Sequence, residues 1–426
     1  MGHHSQVVTA GTAFGALLAA LMTLAGCGAS MSTAQNPVSS AGSSGVPAAV
    51  AQALTAGTGV DPAIVAADNA FGLNLLDALL PGNDGNNIAI SPLSVALALQ
   101  ILYNGAAGST RQAMAQTLEL GALSDQTLND QNAALQASLI SPDPKVQLTV
   151  ANSLWIDRGS DQVLPAFTQT DEAYYGATVG DIAGAPGNIN AWVDSETHGL
   201  IPTLLPPGQY QYAIIANVLY FKGEWTTSFD PSETAAAPFA LSGGGQTSAE
   251  LMHQTGSFAY ASGTLHGSGF QAVRIPYGKG RFSMLVVLPD AGVSVTSFVA
   301  AMKIADLTGL IAQLQQSTVT LALPRFTASY GDTLVPALAS MGMDVAFHPS
   351  ADFSALAPGF WVNVVEHKTV VEVDETGTVA AAATGVGVVT IAYPDVVMVM
   401  DHPFFYAIQD EKTGELLFIG VLMNPG

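Results

Sequence analysis

Residues 366–384 read EHKTVVEVDETGTVAAAAT, and this stretch decides the fold. It opens as a strand, with Val370, Val371 and Val373 set among Thr369, Glu372 and Asp374. Glu375-Thr376-Gly377-Thr378 follows, then Val379 and the alanines Ala380, Ala381, Ala382 and Ala383. From Thr376 to Ala392 there is neither a charge nor a proline. A solvated loop normally carries both. A segment destined to become a buried strand can carry neither, because proline lacks a ladder donor and an unpaired buried charge is costly. Alternation would put Thr378, Ala380, Ala382, Thr384, Val386 and Val388 on one face. Val379, Ala381, Ala383, Gly385, Gly387 and Val389 would form the other. Composition leaves two readings open: an Ala/Gly-rich surface loop, or a strand sized to fit between strands already in place.

The rest of the chain supplies ample core. Of its 426 residues 49% are hydrophobic and 10% charged, enough for one large domain or several ordinary ones. A net charge of −22 argues against a nucleic-acid partner, whose phosphates it would repel. The eleven Lys and Arg are spread singly, so no basic cluster awaits heparin or another polyanion. A solvated acidic surface accounts for the charge.

The single cysteine, Cys27, rules out an intrachain disulfide. Before it runs the apolar stretch 13–26, AFGALLAALMTLAG, of a length that suits a signal-peptide core better than a membrane span. Leu24-Ala25-Gly26-Cys27 resembles the lipobox of bacterial lipoproteins, in which cleavage leaves a lipidated cysteine first. The opening MGHHSQ lacks the Lys or Arg such signals carry. An ordinary secretion signal and a buried or misplaced start are the alternatives. The expected division is a signal at 1–26, a flexible Ala/Ser/Gly/Pro tether at 27–60 and a folded domain at 61–426. The expected location is outside the cytoplasm of a bacterial cell, anchored to the membrane through Cys27 or secreted.

Asp61-Pro62 predicts a helix start, with Phe71, Leu75, Leu76 and Leu79 at helical spacing after it. Ser91-Pro92 predicts another, carrying Leu93, Leu97 and Ile101 on one stripe and stopped by the glycines at 105 and 108. The first half therefore reads as mostly helical. The second half reads as strand at 273–276, 282–289, 319–323, 362–373 and 396–400. Helices first and strands later point to an α+β protein without internal repeats.

Motifs spread in order over nearly all of residues 61–426 resemble the serpins, a family of serine protease inhibitors. They include Ile90-Ser91-Pro92-Leu93-Ser94, Ala151-Asn152-Ser153-Leu154-Trp155, Ile189-Asn190-Ala191-Trp192-Val193 and Asn217-Val218-Leu219-Tyr220-Phe221-Lys222-Gly223-Glu224-Trp225. Ile275-Pro276-Tyr277, Leu323-Pro324-Arg325-Phe326, Asp352-Phe353-Ser354, His402-Pro403-Phe404-Phe405 and Leu417-Phe418-Ile419-Gly420 continue the set. The opening stretch then matches the family's hinge, comprising Glu375, Gly377, Thr378, Val379 and Ala380 to Ala383.

The resemblance implies about nine helices, three β-sheets and an exposed reactive loop above a central sheet that accepts one more strand. It implies a polar shutter of Ser91, Ser94, Asn217 and His367, and a breach of Trp225, Arg325 and Glu375 at the top of the sheet. Counting along the hinge places the reactive bond at Ile391-Ala392, with Thr390-Ile391 and Ala392-Tyr393 as neighbouring alternatives. The implied function is suicide inhibition of a serine protease through a covalent acyl complex, by a monomer that needs no cofactor or metal. An aliphatic residue before the bond suits elastase- or subtilisin-like pockets, and Tyr393 a chymotrypsin-like one. A non-inhibitory binding protein on the same fold is the alternative. Two departures from the family stand out: Gly385 and Gly387 weaken strand propensity, and Asp374 stands where Asn is usual.

An enzyme reading finds no support in the residues. G-x-S-x-G, H-E-x-x-H, P-loop and G-x-G-x-x-G patterns are missing. The eight histidines show no metal-ligand spacing, and His367 in its apolar run reads as a hydrogen-bonded core residue.

Overall fold

The computed structural model describes residues 46–81, 85–140, 143–157, 163–210, 213–378 and 396–426. Cys27, Val379, Ala380 to Ala383, Ile391 and Ala392 lie outside them.

Ten α-helices occur among the described residues: α1 (Ala48–Ala56), α2 (Pro62–Leu79), α3 (Pro92–Gly105), α4 (Gly108–Thr117), α5 (Asp125–Leu139), α6 (Pro165–Tyr174), α7 (Gly187–Glu196), α8 (Val295–Ala301), α9 (Ile304–Ala312) and α10 (Val335–Leu338). The two expected starts are capped as their sequences require. The Asp61 carboxylate accepts the Ala63 N–H at 2.9 Å, and the Ser91 hydroxyl accepts the Ser94 N–H at 3.2 Å.

The expected tether needs correction over its last residues, because α1 is a helix. Val50 and Ala53 of α1 are buried against Ala133, Ala134 and Ala137. Alanine has high helix propensity but little hydropathy, so an alanine face leaves a weak periodic signal.

The strands are β1 (Ile88–Ile90), β2 (Val146–Ile156), β3 (Thr178–Asp181), β4 (Ile214–Glu224), β5 (Ala235–Ala240), β6 (Gln246–Leu265), β7 (Ser268–Tyr277), β8 (Phe282–Pro289), β9 (Gln315–Pro324), β10 (Phe326–Thr333), β11 (Val364–Val373), β12 (Gly377–Thr378), β13 (Val396–Val399), β14 (Phe404–Asp410) and β15 (Leu416–Leu422). Three of them, β1, β2 and β3, interrupt the half that reads as helical, and β4 follows directly. β4 is buried on both faces, so its run IIANVLYF lacks the alternation that marks a half-exposed strand.

The expected three sheets are two among the described residues. One has nine strands in the order β1-β15-β14-β8-β7-β6-β9-β13, with β5 also on β6. The third expected sheet is not separate, because the 20-residue β6 pairs β9 from Leu251 to Tyr260 and runs on to pair β7 from Ala259 to Leu265. The other sheet has six strands in the order β10-β11-β12-β4-β2-β3. The main core contains Leu93, Leu97, Ile215, Leu219 and Phe221 together with the inner faces of β8, β14 and β15. A second cluster joins Ile214, Ala216 and Val218 to Ile189 and Val193 of α7, so β4 is covered on both sides.

Candidate functional site

β4 and β11 meet at only one end. They pair in parallel from Val364↔Ile214 to His367↔Asn217. At the other end β12 lies between them, with Thr378 opposite Val373 of β11 and opposite Gly223 of β4. Among the described residues, 218–222 of β4 and 368–372 of β11 are not paired with each other. The six-stranded sheet is thus closed below and wedged open above by the first two residues of the hinge strand.

The chain reverses from β11 into this wedge through residues 374–377. The Asp374 carboxylate accepts the N–H groups of Thr376 and Gly377 at 2.8 and 3.1 Å, and the Asp374 N–H donates to the Gly377 carbonyl at 2.9 Å. An acceptor side chain that bonds backbone two and three residues on is a turn-forming device. It gives Asp374 a concrete role through Oδ1, an acceptor that the family's Asn also has. Gly377 is required by space: a Cβ there would meet the Gly223 carbonyl oxygen and Glu224 Cα. Thr378 is buried and its hydroxyl meets the Tyr277 hydroxyl at 2.6 Å.

The expected breach residues come together around this turn. Trp225 donates its backbone N–H to Thr376 and its indole N–H to Asp374, both carbonyls at 2.8 Å. Its ring stacks on Tyr277 with centroids 4.3 Å apart. Arg325 holds Glu375 through Nε to both carboxylate oxygens, at 2.7 and 2.8 Å, and also through Nη2. The Thr234 hydroxyl donates to the same carboxylate. Burial pushes the Glu375 carboxyl up, but the Arg325 and Thr234 bonds outweigh it and hold the group below its ordinary value. The bonds to Glu375 likewise raise Arg325. The Arg325 side chain is 46% exposed and that of Glu375 7%, so the pair is anchored from the carboxylate side and solvent screens much of its charge.

The expected shutter residues also converge, where β4 and β11 still touch. His367 is fully buried and pairs in register with Asn217, which pairs on its other side with Asn152 of β2. The Ser91 N–H donates to His367 Nε2 at 3.1 Å, so that nitrogen carries the lone pair and the ring proton sits on Nδ1. Nδ1 then donates to Asn217 Oδ1 at 3.0 Å. The Asn217 amide donates onward to the Ser94 carbonyl and to Asn152 Oδ1. Burial pushes the imidazole down to about 3, in accord with the neutral ring that these bonds require. Ser94 takes part through its backbone, since its N–H goes to the Ser91 hydroxyl and its carbonyl to Asn217.

Sequence reasoning missed Tyr277, Asn152, Thr234 and the role of Asp374 as site residues. Tyr277 and Asn152 lie within the matched motifs, and Asp-x-x-Gly is a turn signal. Thr234 sits in a loop that offers no pattern. The reactive bond at Ile391-Ala392 and the rest of the hinge fall outside the described residues. Among the described residues no group of three or more His, Cys, Asp or Glu could hold a metal ion.

Comparison with known proteins agrees with this geometry. The family model described as Serpin (serine protease inhibitor) matches residues 66–425. The leukocyte elastase inhibitor of Homo sapiens is 29% identical over 381 residues, 84% of this chain and 98% of the relative. The native-state structure of the thermophilic serpin tengpin superposes with a TM-score of 0.79 at 28% identity, over 86% of this chain and 95% of its own. Thyroxine-binding globulin in complex with thyroxine superposes with a TM-score of 0.75 at 28% identity, over 85% and 99%.

Proposed function

The chain belongs to the serpin family, and from that premise we propose that it is a suicide inhibitor of serine proteases acting by loop insertion. The observation that carries this reading is the wedge: β12 already occupies the top of the gap between β4 and β11. Insertion of a strand is therefore the continuation of a pairing already begun. Extended down β4, the register Gly377↔Glu224 and Thr378↔Gly223 brings Thr384 opposite Asn217 and Gly387 opposite Ile214. Thr384 would then part Asn217 from His367, on the same face as both, and its hydroxyl would take over the shutter bond.

In this mechanism the protease serine Oγ attacks the carbonyl of Ile391. The Ile391-Ala392 bond breaks, the Ala392 amine leaves with a proton from the protease, and an ester joins enzyme to inhibitor. The freed loop inserts, carrying the acyl-enzyme to the far end of the sheet before water can cleave the ester. Sixteen strand residues span about 53 Å. This chain supplies no acid, base or nucleophile; the work comes from strand addition, a route known for serpins. Ile391 favours elastase-like or subtilisin-like targets, in keeping with the elastase named for the human relative. The small residues Gly377 and Thr378, seated in the sheet, favour inhibition over a purely ligand-binding role.

Incubation with a protease panel followed by a denaturing gel tests this reading. An inhibitor gives a covalent band at the summed mass with elastase-like enzymes and none with trypsin-like ones. Cleavage without any covalent band across the panel would overturn it. The lipobox-like Leu24-Ala25-Gly26-Cys27 supports a lipid anchor outside the cell as part of the same proposal. Cys27→Ser should release the protein or block its processing.

A further inference from the structure

Helix α2 and the β14–β15 hairpin each carry a buried acid, Asp68 and Glu415. Asn69 accepts the Leu416 N–H and donates to the Gly414 carbonyl, both at 2.9 Å, so its amide brackets residue 415 from both sides. This sets residue 415 against α2 one residue along from Asp68; both carboxyls are fully buried, and the charge of Asp68 acts on Glu415. Asp68 Oδ1 accepts from Gln100 of α3 at 2.8 Å. Asp68 Oδ2 and both Glu415 oxygens are buried and meet no donor among the described residues. Three acceptor oxygens in a dry corner satisfy one another only if a proton lies among them.

The groups facing the pair leave it without a cation. From β14, Asp410 is fully buried, and Arg281 engages both of its oxygens. The Thr413 hydroxyl and the Lys412 N–H donate to Asp410 as well. From α5, the Asn132 amide donates to Gln100 Oε1 and to the Tyr175 hydroxyl, and that hydroxyl donates to Asn129 Oδ1. This wall is neutral.

We propose that Asp68 and Glu415 share a proton and form a pH-sensitive clasp, which holds α2 to the hairpin while protonated and loosens when both carboxyls ionise. Burial pushes Asp68 up to about 7. It pushes Glu415 well above its ordinary value, and the charges of Asp68 and Asp410 add to that. Because the folded chain binds the proton more tightly than the unfolded chain, the clasp is fully effective below the ordinary carboxylate range. Its contribution is lost as pH rises toward and past 7. Gln100 ties the clasp to α3, which Ser91 caps and whose first turn carries Ser94. Ionisation therefore loosens the helix that supports the shutter.

The test compares urea midpoints of the full chain with those of Asp68→Asn and Glu415→Gln between about pH 4 and pH 8. Each pH unit in which the pair binds one extra proton changes the folding equilibrium about tenfold. The wild type should lose stability relative to both variants as pH rises. The same difference at every pH would overturn the proposal. Carbon-13 NMR of the glutamate carboxyls in unmutated protein covers the case of variants that fail to fold. The Glu415 signal should titrate well above the ordinary glutamate range, and titration within that range would overturn the clasp. The readout involves no protease, so it stands apart from the inhibitory reading.

Discussion

A Cβ at Gly377 would collide with the backbone oxygen of Gly223. The hinge therefore enters the sheet only as glycine. The obstacle is main chain, which cannot swing aside as a side chain does.

Gly377→Ala should withdraw β12 from the wedge, freeing Thr378 from Tyr277 and weakening the contacts of residues 374–376 with Trp225. A rise of only about 1.4 kcal/mol in the insertion barrier shifts the partition tenfold toward cleaved inhibitor. The stoichiometry of inhibition against an elastase-like protease checks this, alongside near-UV circular dichroism of the Trp225–Tyr277 stack. Unchanged stoichiometry would show that the wedge plays no part in insertion.

His367 gives the fold a pH dependence of the opposite sign to that of the clasp. Burial holds its ring down to about 3, whereas the unfolded chain takes up the proton near about 6.5. Its contribution is complete above that value and is lost as pH falls toward 3. A proton on Nε2 would also face the Ser91 N–H, donor against donor. His367→Gln should destabilise by about 1–3 kcal/mol at neutral pH, by orphaning buried groups. The gap between the wild type and the variant should narrow as pH drops toward 4. Denaturation profiles at several pH values read this out; a constant gap would contradict the neutral, Nδ1-protonated ring.

Heparin should not accelerate inhibition. Residues 112–144, which contain all of α5, hold no Lys or Arg, and the chain carries a net charge of −22. A polyanion meets repulsion there. Association rates with and without heparin, at low and moderate salt, check it. A large, salt-sensitive increase would mean that a basic surface forms elsewhere.

The sequence made the fold legible because ordered motifs pinned elements on both sheets, and the capped starts at Asp61-Pro62 and Ser91-Pro92 are local signals. His367, Asn217, Ser91 and Ser94 meet in one hydrogen-bonded cluster, and Trp225, Arg325 and Glu375 gather around the turn at 374–377. Three features were hidden for physical reasons. Helix α1 packs by alanine, which hardly registers as hydrophobic. β4 is buried on both faces and so shows no alternation. The buried carboxyls Asp68 and Glu415 are distant in the chain, and neither lies in a pattern that announces a buried carboxyl. Tyr277 sat inside a matched motif, but its stack on Trp225 and its bond to Thr378 exist only once β7 and the hinge meet.

Thr378→Arg tests loop insertion most directly. Thr378 is buried in the wedge and among the first residues of the inserting strand. An unpaired guanidinium there would cost several kcal/mol, enough to delay every residue behind it. The measurement is the yield of covalent complex against cleaved inhibitor, after mixing each protein with an inhibited elastase-like protease. The wild type should give mainly complex; Thr378→Arg should be cut at the same bond yet release active protease. Complex formation by Thr378→Arg at unchanged stoichiometry would contradict insertion into the β4–β11 gap as the basis of inhibition.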